Sequence, residues 1–218
     1  MEDKPVSRPT FGATSLPGGG FGAMPSMASD ERWVIAGLGN PGPWFRKTRH
    51  NAGFLVVDRL AERYGVAFKW YGTQCRLAEI EVDGRRVILA KPQRFMNLSG
   101  NPVAAVMRAH DVPAERLLVV HDELAFAFGA VRMKRGGGAG GHNGLRSVSE
   151  ALGNQHYARI RFGIGRPPKG QTIGKFVMRR FSESEQSGMP ALLDRCADIA
   201  EACVVHGLDK AQTELHTA

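Results

Sequence analysis

The residues best equipped for chemistry are a histidine, a carboxylate and three asparagines, each at the edge of an expected structural element. His50 follows Lys47-Thr48-Arg49 in a polar stretch just before a helical pattern, and Asp122 follows the apolar run Leu117-Leu118-Val119-Val120. A carboxylate at a strand end and a histidine at a helix start can meet on one rim. The carboxylate then accepts a hydrogen bond from one imidazole nitrogen and leaves the other free to take a proton from water. Asn40, Asn97 and Asn143 lie in glycine-punctuated loops. Carboxamides donate and accept at once, which suits holding peptide groups or a developing oxyanion without adding charge. A lone loop histidine is usually a surface residue, a strand-end aspartate often a cap, and a loop asparagine usually serves a turn. Their joint occurrence carries the argument.

Other chemistries find little support. No serine sits in G-x-S-x-G, no histidine pair has metal-ligand spacing, and Cys75, Cys196 and Cys203 form no C-x-x-C. Gly37-Leu38-Gly39-Asn40-Pro41-Gly42 does match G-x-G-x-x-G after a strand. A dinucleotide site needs a helix to begin at once, so that its first amides hold the pyrophosphate. Pro41, Pro43 and a basic stretch intervene here, so a tight loop displaying Asn40 is the better reading and a nucleotide-dependent oxidoreductase ranks last.

The elements that must position these groups follow from hydropathy. Strands are expected at 33–38, 77–82, 87–90, 117–121, 130–134 and 159–164, with Asp83-Gly84 as a hairpin turn. Helices are expected from about residue 51 to 64, from an Asn101 N-cap through about Ala109, over 143–152, and after the capping-box pattern Ser182-x-x-Glu185. Arg159 and Arg161 alternate with Ile160 and Phe162, predicting a strand with one wet face. Interleaved helices and strands with one hairpin predict a single α/β globular domain, a twisted mixed sheet flanked by helices. Residues 1–30, rich in Gly, Pro, Ser and Met, are expected to be a disordered tail, leaving 31–218 as the catalytic domain.

The chain has 218 residues and a formal net charge of +8. The excess is local, since 132–180 holds eleven Lys or Arg against Glu150 alone, whereas 181–218 holds seven acids against Arg195 and Lys210. A polyanionic partner is expected. Three cysteines without a pairing pattern suggest a reducing, cytoplasmic compartment, and no apolar run is long enough for a membrane span.

Five segments taken in order resemble the bacterial peptidyl-tRNA hydrolase family: Gly37-Leu-Gly-Asn-Pro-Gly42, Thr48-Arg-His-Asn-Ala-Gly53, Lys91-Pro-x-x-Phe-Met-Asn-Leu-Ser-Gly100, His121-Asp-Glu-Leu124 and Gly140-Gly-His-Asn-Gly-Leu145. The resemblance spans residues 33 to about 215. It implies a cofactor-free and metal-free monomer that hydrolyses the ester of peptidyl-tRNA, releasing peptide and tRNA for translation. His50 falls on the family's general base, Asp122 on its orienting carboxylate, and Asn40 beside the reacting ester. Phe45, Met96, Asn97 and Asn143 fall on the substrate cleft, and Lys134 and Arg161 on the pair that holds the tRNA 5′ phosphate. The alternative is a non-catalytic RNA-binding protein on the same fold. The sequence departs from the family pattern at Ala125 and Ala139, and Phe126 and Phe128 replace smaller residues or proline. Whether these two phenylalanines gate the site or fill a core is open at this stage.

Overall fold

The computed structural model describes residues 31–217, with side chains through 213, so the expected tail at 1–30 lies outside the described residues. Seven strands form one mixed sheet in the order β2-β3-β4-β1-β5-β7-β6. They are β1 (Trp33–Gly37), β2 (Lys69–Tyr71), β3 (Cys75–Val82), β4 (Arg85–Pro92), β5 (Leu117–Glu123), β6 (Val131–Arg135) and β7 (Ala158–Gly163). β4, β1, β5 and β7 run parallel, and antiparallel pairs extend the sheet at both edges. β1 and the Leu117–Val120 run of β5 are buried throughout, which is why they read as unbroken apolar runs.

Helices α1 (Ala52–Arg63), α5 (Glu183–His206) and α6 (Leu208–Thr217) cover one face, and α2 (Gly100–Ala109) and α3 (Asn143–Leu152) the other. A five-residue helix, α4 (Ile173–Val177), precedes α5. The capping box at Ser182 and Glu185 is present, and Asp83 and Gly84 both take positive φ in the hairpin turn.

Three expectations need correction. β5 continues through Glu123, so Asp122 lies within the strand, because pairing with β7 runs on to Glu123↔Gly163. α2 starts at Gly100 with Ser99 as N-cap, so Asn101 is already helical; a 3-10 turn at Met96–Leu98 leads directly into the helix. The face of β7 carrying Arg159 is not wet. Arg159 is buried beneath the glycine loop, donating to the carbonyls of Gly138 (2.8 Å) and Gly137 (2.5 Å) and stacking on Tyr157. β2 and the helices α4 and α6 carry too little periodic signal to be expected.

The glycines after β1 serve backbone packing. A Cβ on Gly53 would strike the Val120 carbonyl and the Leu38 backbone, and one on Gly37 would strike Gly53. Their absence lets the first turn of α1 rest on the carboxyl ends of β1 and β5. α1 begins only at Ala52, so no helix opens directly from the Gly37–Gly42 loop as a dinucleotide site requires.

Candidate active site

The close seating of α1 brings His50, in the 3-10 turn Arg49–Asn51, against Asp122 of β5. His50 Nδ1 lies 2.9 Å from Asp122 Oδ1 and 3.1 Å from Oδ2. A second imidazole reaches the same carboxylate, with His142 Nε2 2.9 Å from Oδ1. His142 is the N-cap of α3, and its Nδ1 accepts the Leu145 N–H at 3.2 Å. That bond places the His142 proton on Nε2, which therefore donates to Asp122. His50 likewise donates through Nδ1, leaving Nε2 as its unprotonated nitrogen.

Asp122 is buried, and burial alone would raise its pKa. The contact with His142, followed by that with His50, outweighs burial and holds the carboxyl well below the usual carboxylate range. His121 donates through Nδ1 to the Asp122 carbonyl at 2.7 Å. Burial first, then the neighbouring His142, push the His121 pKa down to about 3, so it stays neutral. Its Nε2 is buried without a hydrogen-bond partner. Asp122 is thus fixed at its side chain by two histidines and at its carbonyl by a third.

The turn bearing His50 is itself clamped. The Arg49 backbone N–H donates to Arg179 O at 3.0 Å, and its guanidinium donates to Arg180 O (2.6 Å) and Glu185 Oε2 (2.7 Å) while lying over Phe176. The segment it grips carries one wall of the site. A cavity of about 350 Å³ is lined by His50, His121, Asp122, His142 and Asn143 on one side and by Ile173, Val177 and Met178 around α4 on another.

Asn40 is buried at the end of the β1 loop. Asn51 holds its backbone by two 2.9 Å bonds, and Asn40 Oδ1 accepts the Met96 N–H at 2.8 Å. Its amide nitrogen has only the Met178 thioether, at 3.8 Å, so a donor remains to be engaged. Asn143 Oδ1 accepts from Arg146 at 3.1 Å, which leaves its amide NH2 as the end offered to the cavity. Met96 is buried beneath Gly144, Asn97 is exposed beside it, and Phe45 is half-buried in the turn before Thr48. The structure therefore brings His50, Asp122 and Asn143 into one cavity with Asn40 and Met96 adjoining, while Phe45 and Asn97 lie outside its lining.

The expected cationic pair sits on the outer strands. Arg132 and Lys134 of β6 are exposed opposite Arg161 and Arg159 of β7, so Lys134 and Arg161 are diagonal neighbours. Arg161 donates to Glu123 Oε2 at 3.0 Å and lies over the Phe126 ring. Phe128 packs on Phe181 at the margin of the core. One phenylalanine is a platform for a cation and the other a core filler, which settles the question left by the sequence.

Reasoning from sequence passed over His142 and His121. Both stand inside segments already singled out, His142 beside Asn143 and His121 beside Asp122, but only the meeting of β5 with α3 shows their common target. His50, Asp122 and His142 also form a group with metal-ligand types, their ligating atoms within 4.8 Å of one another. Here both imidazole protons point at the carboxylate, an arrangement already satisfied by hydrogen bonds.

Comparison with known proteins supplies the family. The profile described as peptidyl-tRNA hydrolase matches residues 34–218. The chain belongs to the peptidyl-tRNA hydrolase family. It is 51% identical over 193 residues to the peptidyl-tRNA hydrolase of Frankia casuarinae, covering 88% of this chain and 98% of that one. The Kineococcus radiotolerans enzyme is 48% identical, with coverage of 85% and 98%. The crystal structure of peptidyl-tRNA hydrolase from Acinetobacter baumannii superposes with a TM-score of 0.79 at 33% identity, covering 85% of this chain and 95% of that one. The mixed seven-stranded sheet is thus the fold of the family.

Proposed function

We propose that His50 is the general base of the family's reaction in this chain. The chain is an enzyme that hydrolyses the ester of peptidyl-tRNA, releasing free peptide and reusable tRNA. The observation that carries the base assignment is the His50–Asp122 pair, with one imidazole nitrogen committed to a buried carboxylate and the other free.

In this reading His50 Nε2 takes a proton from water as the water oxygen attacks the ester carbonyl. Asp122 stabilises the resulting imidazolium. Asn40 and Asn143 donate to the carbonyl oxygen as negative charge develops on it, the kind of contact worth about 10²- to 10³-fold in rate. The tetrahedral intermediate collapses by breaking the bond to the tRNA 3′ oxygen, which receives the proton held by His50. His142 keeps Asp122 oriented. Phe45, Met96 and Asn97 flank the peptide.

Lys134 and Arg161 hold the tRNA 5′ phosphate, contributing affinity without reading sequence, as an enzyme serving all tRNAs requires. The phosphate must draw Arg161 from Glu123. We read the enzyme as a cytoplasmic monomer. In support, the cavity is built within one chain, and burial pushes each of the three free thiols up to about 12, which keeps them unreactive. Among the described residues, no helix is long and apolar enough to cross a membrane.

The test is incubation of the wild-type chain with an N-acetylated aminoacyl-tRNA in chelator-containing buffer. Release of N-acetyl amino acid and intact tRNA is expected. Binding without cleavage would hand the case to a non-catalytic RNA-binding role.

A further inference from the structure

The turn between Asn40 and His50 joins two residues of the site, yet apart from Phe45 nothing on its outer surface has a role in the reaction. Trp44 at its tip is 82% exposed, more than any other large apolar side chain among the described residues. Such exposure has no packing rationale, and the turn is not loose. Pro41 and Pro43 flank Gly42, whose φ is +109°; Phe45 N–H donates to Gly42 O, and Thr48 donates to Phe45 O through both its backbone N–H and its hydroxyl. Arg46 and Lys47 follow, both exposed, and neither forms an ion pair with a described residue. A rigidly presented indole followed in the chain by two exposed cations with no ion-pair partner among the described residues is suited to a planar, anionic ligand, and a nucleotide is both.

Position selects which nucleotide. Trp44 is four residues from Asn40, so even a fully extended chain would put it within about 14 Å of that side chain's backbone, and a turn brings it closer. That distance is within the span of a short unpaired nucleic-acid end whose terminal ribose carries the ester. The peptide half of the substrate offers no phosphate for Arg46 and Lys47. Stacking also tolerates any base, since every base has a π face.

We propose that Trp44, assisted by Arg46 and Lys47, is a stacking platform for an unpaired nucleobase at the tRNA 3′ end. This rests on peptidyl-tRNA being the substrate. It predicts that the trinucleotide CCA quenches tryptophan fluorescence in the wild-type chain and much less in Trp44→Phe, since Trp33 is buried and Trp70 sits on the far edge strand. For N-acetyl-aminoacyl-tRNA, Trp44→Ala is expected to lower kcat/KM by roughly 5- to 100-fold, in line with alanine replacement of a stacked aromatic, and Trp44→Phe to recover most of it.

An ester of the same acyl group on an abasic 3′ end should show no such dependence on residue 44. Quenching that is equal in Trp44→Phe would overturn the proposal. So would a kcat/KM for Trp44→Ala within about twofold of wild type, or an equal loss on the abasic ester, which would place Trp44 on the peptide side. Failure of the wild-type chain to cleave any of these esters would instead overturn the parent reading.

Discussion

The rim around Asp122 and the cationic edge of β6 and β7 are built on opposite plans. At the rim the groups around Asp122 are buried or half-buried and held by more than one neighbour, with Asn143 alone exposed: Asp122 is held by His50, His142 and His121, the His50 turn by Arg180 and Glu185 through Arg49, and Asn40 by Asn51 and Met96. At the edge the side chains of Arg132 and Lys134 stand in solvent, and Arg161 has one exchangeable carboxylate partner. Fixed geometry suits a proton transfer that fails when atoms shift by an ångström. Loosely held charge suits phosphate binding, which needs attraction but little register.

The largest effects should come from the rim. Asp122→Asn presents an amide where two imidazole N–H groups need a carboxylate, and turnover is expected to fall by about 10²- to 10⁴-fold with tRNA affinity little changed. Single-turnover cleavage alongside a binding titration measures both. Gly53→Ala attacks the seating of α1 through its backbone contacts, and chemical denaturation should show a loss of about 2–5 kcal/mol.

At the edge, combining Lys134→Ala with Arg161→Ala should reduce kcat/KM by roughly 10- to 100-fold, mainly through KM, and flatten the dependence of log K on log salt by about one unit. A fall in kcat of the same size would erase the contrast between the two regions.

The last contrast is in pH dependence, at His121. Its depressed folded pKa, about 3, means the unfolded chain binds a proton that the folded chain refuses. Stability should therefore fall as pH drops from about 6.5 toward 3, by at most about 1.4 kcal/mol per pH unit. Asp122, depressed as well, loses its contribution only below its unfolded value of about 3.9. Between pH 4 and 6.5, stabilities measured for His121→Asn should thus decline less steeply than for wild type.

How much of this was legible in the sequence follows from the same contrast. The central strands, α1, α3, α5 and the hairpin were readable because they bury long periodic faces. The paired His50 and Asp122 could be guessed from element ends. His142 could not, because its role depends on α3 and β5 converging from distant segments, and Arg159 was misjudged because a glycine loop, with no hydropathy signal, covers it. α4 was invisible for its length, although it walls the cavity. The departures at Ala125 and Ala139 leave the reacting groups in place, and Ala139 lines the cavity with them.

The most direct test of the account is His50→Ala, assayed for cleavage of N-acetyl-aminoacyl-tRNA and for tRNA binding on the same preparation. The account predicts turnover lower by about 10²- to 10⁴-fold with affinity for tRNA retained. Near-normal turnover in that variant would contradict it.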